Sequence, residues 1–584
     1  MKKAKIQPAF DWNDVAKYVL TSREIDLVEE NELVPTGRVT YQFSSRGHEL
    51  AQVLLGMHIT HPHDGAAVYY RSRPFVLTQG LQAEEAFSAT MALDGGLTNG
   101  RDIGVVHALV PRGKGTVLPS SGDVGAQYSP AVGWAQAIRY RVDVLKEKEW
   151  DGAIAVAMGG DGSTATNGFW AALNIATTLH LPMLFFIEDN GYAISVPSSF
   201  QTPGGNMAQN LASFKNLFVL EGEGTNPETC AAKIAQAVHH VRSGRGPCLL
   251  RLAVPRLCGH SFTDNQAYKP AEMREQEIAR DPLTRLESYL VPKFMKAEEW
   301  SAIVASTKAA VGAARDAALG HGDPDPASAA HYVMYEAGTP QKLGGLLSEN
   351  ITLPAGSDTP NPTANTRINM IDAIRMTLES ELRVNNRLLV FGEDVGMKGG
   401  VHGATVDMQV KFGEARVFDT SLNEEGIIGR AIGMALAGLM PVPEIQFRKY
   451  ADPATEQIND CGAMRWRTAN TFASPMVIRI PAGHGKKTGD PWHSVSAEAV
   501  YAHTLGWRLA FPSNAEDAAG LLRAALRGND PTIILEHRAL LDTKPSRRPY
   551  PGDDYVLPFG KAAIVTSGDS LTVVSWAEML HRCV

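Results

Sequence analysis

The chain has 584 residues, of which 44% are apolar and 20% charged, with a formal net charge of -8. That size and balance predict a soluble protein of more than one domain, each large enough for its own core. Acidic residues outnumber basic ones, 63 to 55, and no basic cluster stands out, so no nucleic-acid partner is expected. No apolar run approaches the roughly 18 residues that span a bilayer, and MKKAKIQPAFDW has no apolar stretch behind its lysines. Neither a membrane segment nor a secretory signal is expected. Cys230, Cys248, Cys258, Cys461 and Cys583 are scattered, odd in number and without a CxxC pair. They read as reduced thiols of a cytoplasmic protein, not a disulfide frame or a zinc site.

In chain order, Ala153 to Met158 (AIAVAM) is a continuous apolar run, as a parallel strand buried on both faces requires. A Gly/Ser/Thr turn comes next, then helical character around Phe169 to Leu173, then a second buried strand, Leu181 to Ile187. The crossover of this βαβ unit places Asp161, of Gly160-Asp161-Gly162, and Asn190, of Asn190-Gly191-Tyr192, at the carboxyl ends of neighbouring strands. Open α/β sheets bind ligands at that edge. A carboxylate, an amide oxygen and exposed backbone there can hold Mg²⁺ and leave positions for phosphate oxygens. A helix amino terminus after Gly162 would add partial positive charge. Met273 to Leu290 and Ala297 to Leu319 read as helices that close a first α/β module, residues 1–336. Residues 337–367 are rich in Gly, Pro, Ser, Thr and Asn and read as an extended, flexible connector. A second α/β module, residues 368–545, starts with an amphipathic helix and a strand ending in Gly392-Glu393-Asp394. Strand signals return at Pro475 to Arg479 and Thr532 to Glu536. Beyond residue 546, Ala562 to Thr566 and Leu571 to Val574 look like two strands, too few to bury a core.

The segment GDGSTATNGFWAALNIATTLHLPMLFFIEDNGYAIS resembles the thiamine-diphosphate signature of the 2-oxo acid dehydrogenases. From about residue 15 onward the chain resembles a fusion of the α and β chains of the decarboxylating first component of those complexes. The resemblance implies two transketolase-like modules with mostly parallel sheets flanked by helices. It also implies the truncated start of a carboxyl-terminal α/β domain, residues 546–584, which family members continue in full. In the family, the residues matching Asp161, Asn190 and the Tyr192 carbonyl ligate Mg²⁺, which grips the diphosphate beside Gly160 and Gly162. Leu422-Asn423-Glu424-Glu425-Gly426-Ile427-Ile428-Gly429 resembles the segment whose glutamate, here Glu424, activates the cofactor through its pyrimidine ring. Glu425 fits a helix amino terminus that favours acidic residues. Gln446 and Tyr450, in EIQFRKY, match positions lining the pyrimidine pocket, although Ala451-Asp452 and Thr455 stand where the family has apolar and aromatic residues. His260, in CGHSFTD, and His493, in WHSVS, match loops whose histidines reach cofactor and substrate. His61, His63, His239 and His240 read as ordinary surface or satisfied residues. Tyr70-Arg71 resembles the family's YR pair, in which the arginine clamps phosphate oxygens. Ser120-Ser121 resembles a segment that touches the aminopyrimidine, in a loop longer than usual.

The resemblance implies oxidative decarboxylation of a small 2-oxo acid and acyl transfer to the lipoyl group of a dihydrolipoyl acyltransferase core. Branched-chain 2-oxo acids come first as substrate; pyruvate and acetoin dehydrogenation are the alternatives. The diphosphate residues and the activating glutamate fall in different modules, so neither half is expected to work alone. A homodimer is expected from the common two-fold symmetry of such enzymes. A transketolase would share the Mg²⁺ motif but lack the SFTD and HSxS segments. A truncated, non-catalytic paralogue acting as a scaffold is the rival from another class. A nicotinamide enzyme is disfavoured, because no strand runs into GxGxxG with an acidic residue some twenty positions on.

Overall fold

The apolar runs form two parallel six-stranded sheets in the computed structural model, which describes residues 10–102, 107–485 and 489–584. The described residues divide into two compact units, one up to His331 joined by Arg467–Ala469, the other Tyr332–Trp466 with Asn470–Val584. This is the α/β, transketolase-like architecture expected from the sequence. No helix among the described residues is long and apolar enough to cross a membrane. The five cysteines are free, and all but Cys583 are buried.

The sheet of the first unit is built from β1 (Gly65–Ala67), β2 (Thr116–Leu118), β3 (Ala155–Gly160), β4 (Met183–Asp189), β5 (Phe218–Glu223) and β6 (Cys248–Ala253). They lie in the order β2-β1-β3-β4-β6-β5, every pair parallel. The central strands β3 and β4 are buried over nearly their whole length, which is why both read as unbroken apolar runs. The helix α1 (Glu49–Gly56) is buried in this unit's core, and α2 (Asn167–Thr178) makes the crossover from β3 to β4. That crossover helix begins later than the sequence suggests. A 3-10 turn, Asp161–Ala165, comes first, and Thr166 caps the helix. The Ser163 hydroxyl donates to the Gly160 carbonyl at 2.6 Å and Thr164 to the Asp161 carbonyl at 2.7 Å, so side chains hold the tight turn.

The second unit repeats the plan with β7 (Leu388–Gly392), β8 (Val417–Asp419), β9 (Met440–Glu444), β10 (Val477–Ala482), β11 (Arg508–Ala510) and β12 (Thr532–His537). Their order is β8-β7-β9-β10-β12-β11, again all parallel. Two prolines, Pro441 and Pro443, stand inside β9, where a missing N–H should break a central ladder. The pairing accommodates them: β9 runs alongside β7 for five residues but meets β10 at Glu444–Arg479 alone. Three helices of this unit matter below: α3 (Met370–Val384), α4 (Glu424–Leu436), which connects β8 to β9, and α5 (Ala515–Leu526). The first packs on the last, tied by Arg523 Nε donating to Glu381 Oε1 at 3.0 Å.

In the middle of β10, Arg479 is fully buried between two carboxylates, 2.7 Å from Glu444 and 2.7 Å from Glu536. Removing the cation would leave two buried anions facing one another. Arg479→Met should therefore cost about 3–5 kcal/mol of stability, measured by urea unfolding. A loss under about 1 kcal/mol would mean that the pair is hydrated.

Two local expectations change. Ala562–Thr566 and Leu571–Val574 are unpaired coil, not strands, with Ile564 89% and Val574 81% exposed. Strand-forming residues without a neighbouring edge have nothing to complete their hydrogen bonds. Residues 337–367 are docked along the second unit instead of hanging free. Gln341 exchanges hydrogen bonds with Asn529, and Arg367–Ile368 pairs antiparallel with Arg548–Pro549. Gly344 allows the close approach: at φ +100°, a Cβ there would fall 1.9 Å from the Ala473 carbonyl oxygen.

Candidate functional site

In the first unit, β3 runs straight into Asp161, and Gly160 lies opposite Glu188 of β4 in register. That register carries Asp161 to the level of Asp189, one residue before Asn190, at the carboxyl edge of the sheet. Asp161 is 4% exposed, and neither carboxylate oxygen has a well-formed hydrogen bond. Burial and the neighbouring Asp189 carboxylate push its pKa up to about 7; its own and Asn190's backbone amides, with Arg256, pull only partly back. A carboxylate so poorly solvated is costly unless a cation joins it. Asn190 Oδ1 accepts from the Tyr192 backbone N–H at 3.2 Å. Gly162 lies against the hairpin beyond Asn190: a Cβ on it would come within 2.5 Å of Ala193 Cβ. Among the described residues no group of three His, Cys, Asp or Glu side chains is placed to hold a metal. A cation here would use one carboxylate, one amide oxygen and one carbonyl.

Tyr70, Arg71 and His260 form a second group in the same unit. Arg71 is 2% exposed, so it is no surface arginine. Its Nη1 donates to the Ser44 carbonyl and its Nη2 to the His260 carbonyl at 3.0 Å, leaving further N–H donors for an anion. The His260 ring packs edge-on against Tyr70 and Phe43, with centroids 5.7 and 5.2 Å apart. Burial, then the charges of Arg71 and Arg256, lower its pKa to about 4, so the ring is neutral at physiological pH. Arg256, 1% exposed, acts on both Asp161 and His260. The sequence gives no reason to single it out. Ser121 lies in the loop after β2, and its Oγ accepts from the Asp123 N–H at 3.2 Å.

In the second unit the candidate residues come after successive strands at the carboxyl edge. Asn423 caps α4 by accepting from the Gly426 N–H at 2.6 Å. Glu424 is that helix's first residue and half-buried; Leu422 just before it is 81% exposed. Glu393, after β7, has a buried, unpartnered Oε1; burial, then the charges of Glu424 and Asp394, push its pKa up to about 7. Glu425 is also buried and pushed up to about 7, by burial alone. Gln446 and Tyr450 come after β9, and the Tyr450 hydroxyl lies 3.4 Å from His493 Nε2. Asp490 Oδ2, 2.7 Å from His493 Nδ1, fixes the other side of that ring. Arg538, after β12, donates to the His493 carbonyl at 2.6 Å. Asp490 and Arg538 carry no sequence signal of their own. Thr420 Oγ1, His402 Nε2 and Ser494 Oγ are further buried polar atoms without partners.

Residues 19–327 match the family model described as Dehydrogenase E1 component, and residues 366–544 match Transketolase, pyrimidine binding domain. The first match alone covers more than half of the chain. The chain belongs to the dehydrogenase E1 component family. It joins an E1 segment and a pyrimidine-binding segment in one polypeptide, consistent with the expected fusion. This E1-family chain is 41% identical over 212 residues to the 2-oxoisovalerate dehydrogenase subunit beta of Bacillus subtilis, covering 36% of the chain and 64% of that relative. It is 40% identical over 217 residues to the pyruvate dehydrogenase E1 component subunit beta of the same species, covering 37% and 66%. The chain thus spans about two thirds of the length of these relatives.

The residues present fit thiamine diphosphate and a divalent ion. In the first unit, the two buried Asp161 carboxylate oxygens without a well-formed hydrogen bond have the chemistry of a cation ligand. In the second, Glu393 Oε1, His402 Nε2, Thr420 Oγ1 and Ser494 Oγ are buried polar atoms without hydrogen-bond partners.

Proposed function

We propose that the chain is the first component of a 2-oxo acid dehydrogenase complex, decarboxylating a small 2-oxo acid and passing the acyl group to a lipoyl-bearing acyltransferase core. The observation that carries this reading is Asp161, whose buried oxygens lack well-formed hydrogen bonds at the end of β3, next to the β4 end that presents Asn190. Asp161, Asn190 Oδ1 and the Tyr192 carbonyl would hold Mg²⁺, and Arg71 would offer its free donors to the diphosphate. Bound thiamine diphosphate would supply the ring carbon that adds to the ketone and takes up charge when carbon dioxide leaves. Glu424 would hold the pyrimidine ring in its reactive tautomer by a short hydrogen bond. Neutral His260, and His493 held by Asp490 and Tyr450, would orient the substrate and move protons at their ring nitrogens. Diphosphate binding falls to residues 1–336 and pyrimidine binding to residues 368–545, in a homodimer working in the cytoplasm.

Branched-chain 2-oxo acids are the preferred substrates, supported by the 2-oxoisovalerate relative, with pyruvate second. The test is a panel of 2-oxo acids with thiamine diphosphate, Mg²⁺ and an artificial electron acceptor. We expect 3-methyl-2-oxobutanoate to be turned over at least ~10-fold more efficiently than pyruvate, a difference of about 1.4 kcal/mol. Faster turnover of pyruvate would reverse the substrate order. No turnover of any 2-oxo acid, with cofactor demonstrably bound, would sink the activity itself.

A further inference from the structure

Behind Asn190 lies a buried chain of side chains that the proposed chemistry does not use. His48 immediately precedes α1 and is fully buried, as is Glu188 at the end of β4. The His48 Nε2 lies 3.5 Å from Asn190 Nδ2, and its Nδ1 lies 3.4 Å from Glu188 Oε1. On its other oxygen, Glu188 accepts from Gln52 Nε2 at 2.8 Å and from the Tyr69 hydroxyl at 3.0 Å. Both Nδ1 and Oε1 are otherwise without partners.

Hydrogen-bond bookkeeping leaves one consistent arrangement. The Tyr192 N–H donates to Asn190 Oδ1, so the amide cannot be flipped, and Nδ2 faces the imidazole. A proton on Nε2 would set donor against donor there. It would also leave the Nδ1 lone pair against a carboxylate. With the proton on Nδ1, Nε2 accepts from Asn190, and the Nδ1–H dipole lies 3.4 Å from the Glu188 carboxylate, an electrostatic contact rather than a well-formed hydrogen bond. One lone pair of Asn190 Oδ1 then remains free on the side away from His48.

We infer that His48 is a positioning residue that, braced by Glu188, fixes the Asn190 amide with its oxygen turned outward to a divalent cation. The inference rests on the reading of Asp161 and Asn190 as cation ligands. Groups that orient a metal ligand from behind commonly contribute ten- to a hundredfold in affinity.

The full chain is titrated with Mn²⁺ in the presence of thiamine diphosphate, free ion being read by electron paramagnetic resonance and folding by thermal melting. His48→Leu should weaken Mn²⁺ binding at least ~10-fold. His48→Gln carries an acceptor where Nε2 stood and should stay within about threefold of the parent, whereas His48→Asn keeps only the Glu188 side and should resemble the leucine variant. In an Asn190→Ala background, His48→Leu should add less than about twofold, because its route of action is gone. If leucine does not fold, the Gln and Asn pair still decides. Equal affinities for Gln and Asn, or a leucine effect undiminished without Asn190, would overturn the inference. Asp161→Ala serves as the control. If it leaves Mn²⁺ affinity unchanged, the cation site falls and this inference with it; if it weakens binding while every His48 variant binds normally, only the inference falls.

Discussion

Asp161→Ala should abolish Mg²⁺-dependent binding of thiamine diphosphate in calorimetry, a loss of roughly 100-fold or more, while the chain stays folded. The case is one of unmet demand. Buried carboxylate oxygens are ordinarily met by donors, as Glu188 Oε2 is by Gln52 and Tyr69. Asp161 is buried too, yet neither oxygen has a well-formed hydrogen bond, the backbone amides of Asp161 and Asn190 compensate only in part, and Asp189 adds further repulsion. Such a group lowers the stability of the folded chain. Alanine should accordingly leave the cofactor-free thermal midpoint unchanged or raise it. A lower midpoint with intact affinity would show instead that Asp161 holds the turn between β3 and α2.

The central strands β3 and β4 were legible because strands buried on two faces must be apolar at every position, as AIAVAM and LPMLFFI are. The Asp161–Asn190 pair was legible for the same reason, since strand pairing fixes where the residues just past each strand end must lie. Contacts made across long sequence separations were not. Arg71 is committed to Ser44 and to His260, 189 residues on, and His48 meets Asn190 across 142 residues. Neither contact leaves a local pattern, although Arg71 itself stands in the YR pair. The connector misled because composition reports what a segment cannot do alone, and residues 337–367 borrow Asn529 and Pro549 to order themselves. The tail misled in the opposite sense: residues 571–574 have strand propensity, but propensity alone supplies no partner strand. His493 was found by its motif, whereas Asp490 and Arg538 emerge only from the geometry that holds its ring and its carbonyl.

Adjacent glutamates on one helix give the second large effect. Glu424→Gln should keep thiamine diphosphate but lose proton exchange at its reactive carbon by about 100-fold or more, as removal of a positioned acid–base group does. Glu425→Gln should keep most of the activity and change stability instead. The two residues share the first turn of α4 that Asn423 caps, and a helix amino terminus welcomes acidic charge on either. Their surroundings separate them. Glu424 stays half-exposed, close enough to Glu393 for its charge to help hold that carboxyl near pH 7. Glu425 turns into the unit and is raised from 4.5 to about 7 by burial alone. Its folded pKa lies above the unfolded one, so between those values the folded chain holds more protons than the unfolded chain. Stability therefore falls as pH rises through that window and stays lowered above it. Glu425→Gln removes the slope and should stabilise the chain at about pH 8 by roughly 1–2 kcal/mol, a figure reduced for solvent screening, with little gain at about pH 4. Urea unfolding at the two pH values measures it. Activity lost at Glu425 and kept at Glu424 would shift the motif by one residue and hand the activating role to the buried carboxyl.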